Sequence, residues 1–153
     1  MNDVSAIEQR FNESPFFQHI GCHLFTGENG EMEIHLPITP ELINANGSLH
    51  GGVYATVIDN AMSVALRRTV PADIITVTMN VHFLAAIKDG TCIGKGKVIQ
   101  QGYKLAVCEA VMEDQNGTLL ATGSGTFKIL RKGSGHENDR HNRRWNDGER
   151  DQL

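Results

Sequence analysis

Between Asn44 and Asp59 the chain reads NANGSLHGGVYATVID, a run of glycines, amides and one histidine that leads into an amphipathic segment bearing a single carboxylate, Asp59. A helix that begins in such a loop leaves its first backbone N–H groups without intrahelical acceptors, so they can polarise a carbonyl or hold an anion. A carboxylate farther along can serve as general base or nucleophile. These residue types, in this order, are suited to acyl chemistry.

The elements that position them follow from spacing. Tyr54, Val57, Ile58, Ala61, Met62, Ala65 and Leu66 recur at three and four, which predicts a helix from near Leu49 to about Arg68 with one core-facing stripe. Ser48 is the expected N-cap. At roughly 100° per residue Asp59 falls at the edge of the stripe, close to Gly52, Ala55 and Met62, so its carboxylate looks across small side chains. No basic residue stands three or four positions away to form the usual helix ion pair. Gly51 and Gly52 in the first turn cost about 1 kcal/mol each against Ala, which points to close backbone approach or a need for free amides.

Asn44, Gly47, His50, Gly51 and Gly52 followed by Asp59 resemble the signature of hotdog-fold acyl-CoA thioesterases, in particular the phenylacetate-pathway (PaaI-type) branch. The resemblance runs from roughly Phe16 to Leu130 and includes ITVTMNVHFLAAIKDG and QGYKLAVCEAVMEDQNGTLLATGSGTF. It implies hydrolysis of an acyl-CoA to free acid and CoA without a cofactor or metal. Asp59 would act as base or nucleophile, and the Gly51 amide would polarise the thioester carbonyl. Asn44 and Thr76 would position water and the carboxylate, and His50 would support the loop and the substrate carbonyl. Gly52 and Met62, on the Asp59 side of the helix, are expected against the substrate. Lys104 matches a position that is often basic in the family and is expected near the CoA phosphates; Arg67, Arg68, Lys128, Arg131 and Lys132 are unranked alternatives.

Gly51 and Asp59 are eight residues apart, roughly 12 Å along a helix at 1.5 Å per residue. Reacting groups must approach within about 3.5 Å, so one thioester cannot meet both in one chain. Two helices antiparallel across a two-fold axis would bring Gly51 of one copy to Asp59 of the other. The expectation is a homodimer at least, and a tetramer as a dimer of dimers.

A chain of 153 residues with 40% hydrophobic content fits one domain. A net charge of −4 carries no nucleic-acid signal. No apolar run approaches a membrane span and the N-terminus lacks a secretory layout, so a cytoplasmic protein is expected. Cys22, Cys92 and Cys108 read as reduced structural residues. His19 and His23 lack the glutamate of a zinc helix, GKGK at 94–97 lacks phosphate-loop spacing, and no serine sits in a nucleophile elbow.

The expected order begins with a helix over 4–11 and an apolar turn anchored by Phe16 and Phe17. Strands follow over 22–26 and 31–36, joined at GENG. After the long helix, strands are expected over 74–84, 91–101, 104–114 and 118–130. In the first of these, Ile75, Val77, Met79, Val81 and Phe83 should face the core, with Thr76, Thr78, Asn80 and His82 opposite. This order indicates an α+β fold with an antiparallel sheet, and a hotdog, the sheet wrapped around a central helix, fits it. Residues 1–132 form the expected domain; 133–153 lose nearly all aliphatic side chains and read as a polar flexible tail. Two other readings compete with hydrolysis. A hotdog hydratase or dehydratase would place His and Asp differently, and a non-catalytic acyl-CoA binder would not need Asp59.

Overall fold

A computed structural model describes residues 3–131. Two short helices open the chain, α1 (Val4–Asn12) and α2 (Pro15–Ile20), followed by strands β1 (His23–Thr26) and β2 (Met32–Pro37). The long helix α3 (Gly51–Arg67) precedes β3 (Asp73–Phe83), β4 (Thr91–Gln101), β5 (Leu105–Asp114) and β6 (Leu119–Leu130). The strands make one antiparallel sheet in the order β1-β2-β4-β5-β6-β3, with α3 packed against β2 to β6. This is the expected hotdog architecture. The tail at 133–153 lies outside the described residues. No described helix is long and apolar enough to cross a membrane.

Glycines seat the helix on the sheet. Gly94 and Gly96 of β4 and Gly123 and Gly125 of β6 all face α3. A Cβ at Gly96 would stand 2.2 Å from the Ala61 carbonyl oxygen, and one at Gly123 would stand 2.4 Å from Ile58 Cγ2. The GKGK run is therefore a strand whose glycines admit the helix while Lys95 and Lys97 point outward. Val57, Ile58, Met62 and Leu66 are buried against this surface together with Met112, Leu120 and Phe127. Fully burying a side chain of this kind contributes about 1.5–3 kcal/mol, so the helix stripe is a main source of stability.

The first segments differ from expectation in one respect. Residues 15–20 form a short helix, with Pro15 in its first turn and Gly21 at φ +86° ending it, rather than an apolar turn. Of its two phenylalanines Phe17 is buried, edge-on to Phe11 at 5.9 Å, while Phe16 is exposed.

A larger correction concerns β3. Its pairing with β6 skips a residue between Thr76 and Thr78, so Val77 is an extra residue in a β-bulge. A bulge reverses the alternation of faces. Before it, Ile74 and Thr76 pair with Ile129 and Phe127, which face the helix; after it, Met79, Val81 and Phe83 pair with Gly125, Gly123 and Ala121, which face the helix too. Thr76 therefore shares the inner face with Met79, and Ile75 and Val77 are solvent-exposed rather than core. Strand β3 is also an edge of the sheet, bonded only to β6.

Candidate functional site

The loop before α3 is built by its own polar groups. Asn44 Oδ1 accepts from the backbone N–H groups of Asn46 (2.9 Å) and Ser48 (3.1 Å), and the Asn44 N–H donates to the Ser48 carbonyl at 2.7 Å. Gly47, at φ +83°, makes the turn between them, a backbone state open to glycine. The His50 N–H donates to the Leu42 carbonyl, which closes the loop, and the Leu49 N–H donates to the Ile87 carbonyl, which pins it to the segment after β3.

Helix α3 begins at Gly51, and its N-cap is His50, not Ser48. The Gly52 N–H donates to His50 Nδ1 at 2.8 Å, leaving Nε2–H as the ring's donor. Among the described residues the Gly51 N–H meets no acceptor. The helix start thus presents one uncommitted amide at its positive end.

Asp59 is half-buried one turn beyond Ala55, and Thr76 Oγ1 donates to its Oδ1 at 2.7 Å. No ion pair reaches Asp59 among the described residues; Arg67 instead pairs with Asp73 at 3.2 Å. Among the described residues the carboxylate is held by a neutral hydroxyl.

Two aromatic rings, Phe83 and Tyr54, frame the Gly51 end. A Cβ on Gly51 would lie 3.4 Å from Phe83 Cε1, so that ring lies beside the Gly51 Cα. Tyr54 stands edge-on to Phe83 at 5.4 Å, and its hydroxyl donates to the Ala85 carbonyl at 2.7 Å. Phe83 is exposed at the end of an edge strand rather than in the core that the alternation of β3 predicts.

The structure brings the expected residues into two groups. Asn44, His50, Gly51 and Gly52 stand together at the helix start, and Asp59 and Thr76 stand two turns on. Asn44 spends its side-chain oxygen on the loop, leaving only Nδ2 to address a water. Met62 is fully buried beneath the sheet, where its terminal methyl would lie 3.0 Å from a Cβ on Gly125. It is a core residue with no surface toward a substrate in this protomer. Lys104 is exposed at the turn between β4 and β5, its carbonyl accepting from the Ile129 N–H at 2.8 Å.

A cavity of about 910 Å³ is lined by Val64, Ala65, Arg68, Val98 and Val111 among others, and by none of Asn44, His50, Gly51, Asp59 and Thr76. Ala61, Val64, Ala65 and Arg68 lie on the far side of α3 from Asp59, roughly 140–240° around at 100° per residue. This cavity is separate from the two groups.

A thioesterase superfamily model matches residues 46–121, which contain His50, Gly51, Asp59 and Thr76. The chain is 32% identical over 108 residues to acyl-coenzyme A thioesterase 13 of Homo sapiens, covering 67% of this chain and 76% of that protein. The chain belongs to the thioesterase superfamily. Within that superfamily it is also similar to a 1,4-dihydroxy-2-naphthoyl-CoA hydrolase of Listeria monocytogenes, at 25% identity over 115 residues, covering 74% of this chain and 94% of that one. Among solved structures it is similar to a Bacillus halodurans protein crystallised with CoA, at TM-score 0.76 and 26% identity, covering 84% of this chain and 87% of that one.

Proposed function

We propose that this thioesterase-superfamily protein hydrolyses acyl-CoA thioesters to free acid and CoA, in a site shared by two copies of the chain. The observation that carries the reading is the 2.7 Å hydrogen bond from Thr76 to Asp59, which orients a half-buried carboxylate on the helix whose start offers the Gly51 amide. The human acyl-coenzyme A thioesterase and the Listeria naphthoyl-CoA hydrolase, to which the chain is similar, support the acyl-CoA class.

In this mechanism the thioester carbonyl oxygen points at the Gly51 N–H, which stabilises the developing oxyanion; such a donor is worth roughly 3–4 kcal/mol. Asp59 of the other subunit takes a proton from a water as its oxygen attacks the carbonyl carbon. The C–S bond then breaks, and the proton passes to the leaving thiolate. Direct attack by Asp59, giving an anhydride that water then cleaves, uses the same groups. Thr76 holds the carboxylate in either case. Asn44 Nδ2 would orient the water, and His50 Nε2–H lies on the loop beside the carbonyl.

The edge strand supports the shared site. Strand β3 carries Thr76, bonded to Asp59, and Phe83, packed on Gly51. If two copies pair antiparallel along β3 about a centre near Met79 and Asn80, Phe83 of one copy approaches Thr76 of the other. Exposed apolar side chains at this edge, Ile75, Val77, Phe83 and Leu84, are what a long open strand would cover by pairing. The catalytic unit would be residues 1–132, assembled as a dimer at least.

The test is release of free thiol from a panel of aliphatic and aromatic acyl-CoAs by wild type and Asp59→Asn. Cleavage by wild type and its loss in the variant are expected. Equal rates, or no cleavage of any thioester, would sink the proposal.

A further inference from the structure

Three arginines and an exposed tyrosine converge at one end of the molecule. Arg10 of α1, Arg67 at the end of α3, Arg131 just beyond β6, and Tyr103 in the turn between β4 and β5 line a cavity of about 690 Å³. Asp73, at the start of β3, accepts from Arg10 Nη2 at 2.9 Å and from Arg67 Nη1 at 3.2 Å, so one carboxylate fixes two guanidinium groups side by side. The other acidic group lining the cavity, Asp3, is turned to the Ser5 N–H of its own helix at 3.1 Å. Arg131 Nε donates to the Tyr103 carbonyl at 2.9 Å, and its guanidinium lies 4.2 Å from the ring centroid. The ring is thereby held from one side while Tyr103 remains 69% exposed.

An exposed aromatic face beside fixed guanidinium groups suits a purine nucleotide. The base can stack on the ring, and the phosphates can take forked N–H donors. Arg10 keeps further N–H donors beyond the one given to Asp73, and its side chain is 60% exposed. The cavity also lies at a useful distance. Asp73 precedes Thr76 by three residues on β3, roughly 10 Å at 3.3 Å per residue, and an extended pantetheine arm spans more than that.

We infer that this cavity receives the 3′-phosphoadenosine diphosphate end of CoA, with the base on Tyr103 and the phosphates toward Arg10 and Arg67. The inference rests on the acyl-CoA reading and names the residues that hold the part of the substrate farthest from the chemistry. Lys104 is the chain neighbour of Tyr103 at the same turn. The nucleotide site belongs to the subunit that supplies Asp59, since Asp73 and Thr76 share a strand.

The test compares kcat/KM for one acyl group carried on CoA and on pantetheine, in wild type, Arg10→Gln and Tyr103→Ala. The ratio of the two values should fall on the order of ten-fold in each variant, within the range a lost base–aromatic stack gives. Titration calorimetry with 3′,5′-ADP should show binding to wild type that weakens in both variants. Tyr103→Ala changes an exposed turn residue and carries the test alone if Arg10→Gln fails to fold. An unchanged ratio together with unchanged 3′,5′-ADP binding overturns the nucleotide site and leaves acyl-CoA hydrolysis standing. If wild type cleaves neither substrate, the proposed function falls, and the 3′,5′-ADP titration still decides the cavity.

Discussion

The Thr76 hydroxyl reaches the Asp59 carboxylate at 2.7 Å because β3 carries an extra residue, Val77, between Thr76 and Thr78. Unbroken alternation through Met79, Val81 and Phe83 would turn Thr76 away from the helix. The bulge returns it to the inner face, so a strand irregularity and a polar contact in the candidate site have one origin.

Removing that hydroxyl should slow the chemistry without changing substrate affinity. Thr76→Val is expected to lower kcat on acyl-CoA about ten-fold, near 1.4 kcal/mol, the low end for a hydrogen bond to a charged group, with KM little altered. Thr76→Ser should restore most of the rate. A Val variant as fast as wild type would mean the hydroxyl has no part in the reaction.

The seat of the helix gives a prediction about stability. A methyl at Gly96 would meet the Ala61 carbonyl oxygen at 2.2 Å and its carbon at 2.6 Å, and a helix backbone cannot swing aside as a side chain can. Gly96→Ala should lose about 3 kcal/mol, the upper end for overpacking, in equilibrium urea unfolding. Lys97→Ala, one residue on and facing outward, should stay within about 0.5 kcal/mol of wild type. Equal midpoints for Gly96→Ala and wild type would mean that helix and sheet stand farther apart.

Much of this arrangement is legible in the chain. The stripe from Tyr54 to Leu66 has helical period, and the later strands lie within a residue of their expected bounds, because turn residues flank long β-prone runs. The Val77 bulge is not legible, since Thr-Val-Thr continues the alternation and the extra residue exists only relative to β6. The N-cap moved from Ser48 to His50 because Ser48 is drawn into the turn closed by Asn44, which leaves the imidazole to take the Gly52 N–H. Met62 lies on the Asp59 side of the helix in a two-dimensional projection, yet the glycines of β6 bring the sheet down over it.

Acid should remove the contribution of Asp73. The hydrogen bond from Arg67, aided by the nearby Arg10 charge, holds its carboxyl below the usual aspartate value of about 3.9. A folded-state pKa below the unfolded one stabilises the protein fully above the unfolded value, and the gain is lost as pH falls through the folded value. Asp73 is 58% exposed, so the effect is small. The gap in Tm between wild type and Asp73→Asn should be constant from neutral pH to about pH 5 and close below about pH 4. A gap that widens on acidification would contradict the pairing.

The cysteines should be silent in a thiol-release assay. Cys22, Cys92 and Cys108 are free and buried, and burial pushes the first two thiols up to about 12 and the third to about 11. Reactivity follows the thiolate, which is scarce at pH 8 under those conditions. A disulfide reagent should leave the folded protein unlabelled and titrate all three thiols after denaturation.

Subunit complementation tests the shared site directly. Gly51→Pro removes one N–H at the first helical position, where proline is tolerated, and the extended backbone of His50 (ψ 136°) accepts a following proline. Asp59→Asn removes the carboxylate. Each variant alone should be inactive, since every site in its homodimer lacks one group. In a mixed dimer, Gly51 of the Asp59→Asn chain meets Asp59 of the Gly51→Pro chain, which rebuilds one site of two. With random exchange half the dimers are mixed, so co-refolding equal amounts should recover about a quarter of the wild-type rate for a two-fold symmetric pair. No recovery from chains that demonstrably exchange would place both groups over the substrate from a single chain, against the 12 Å that separates them along α3.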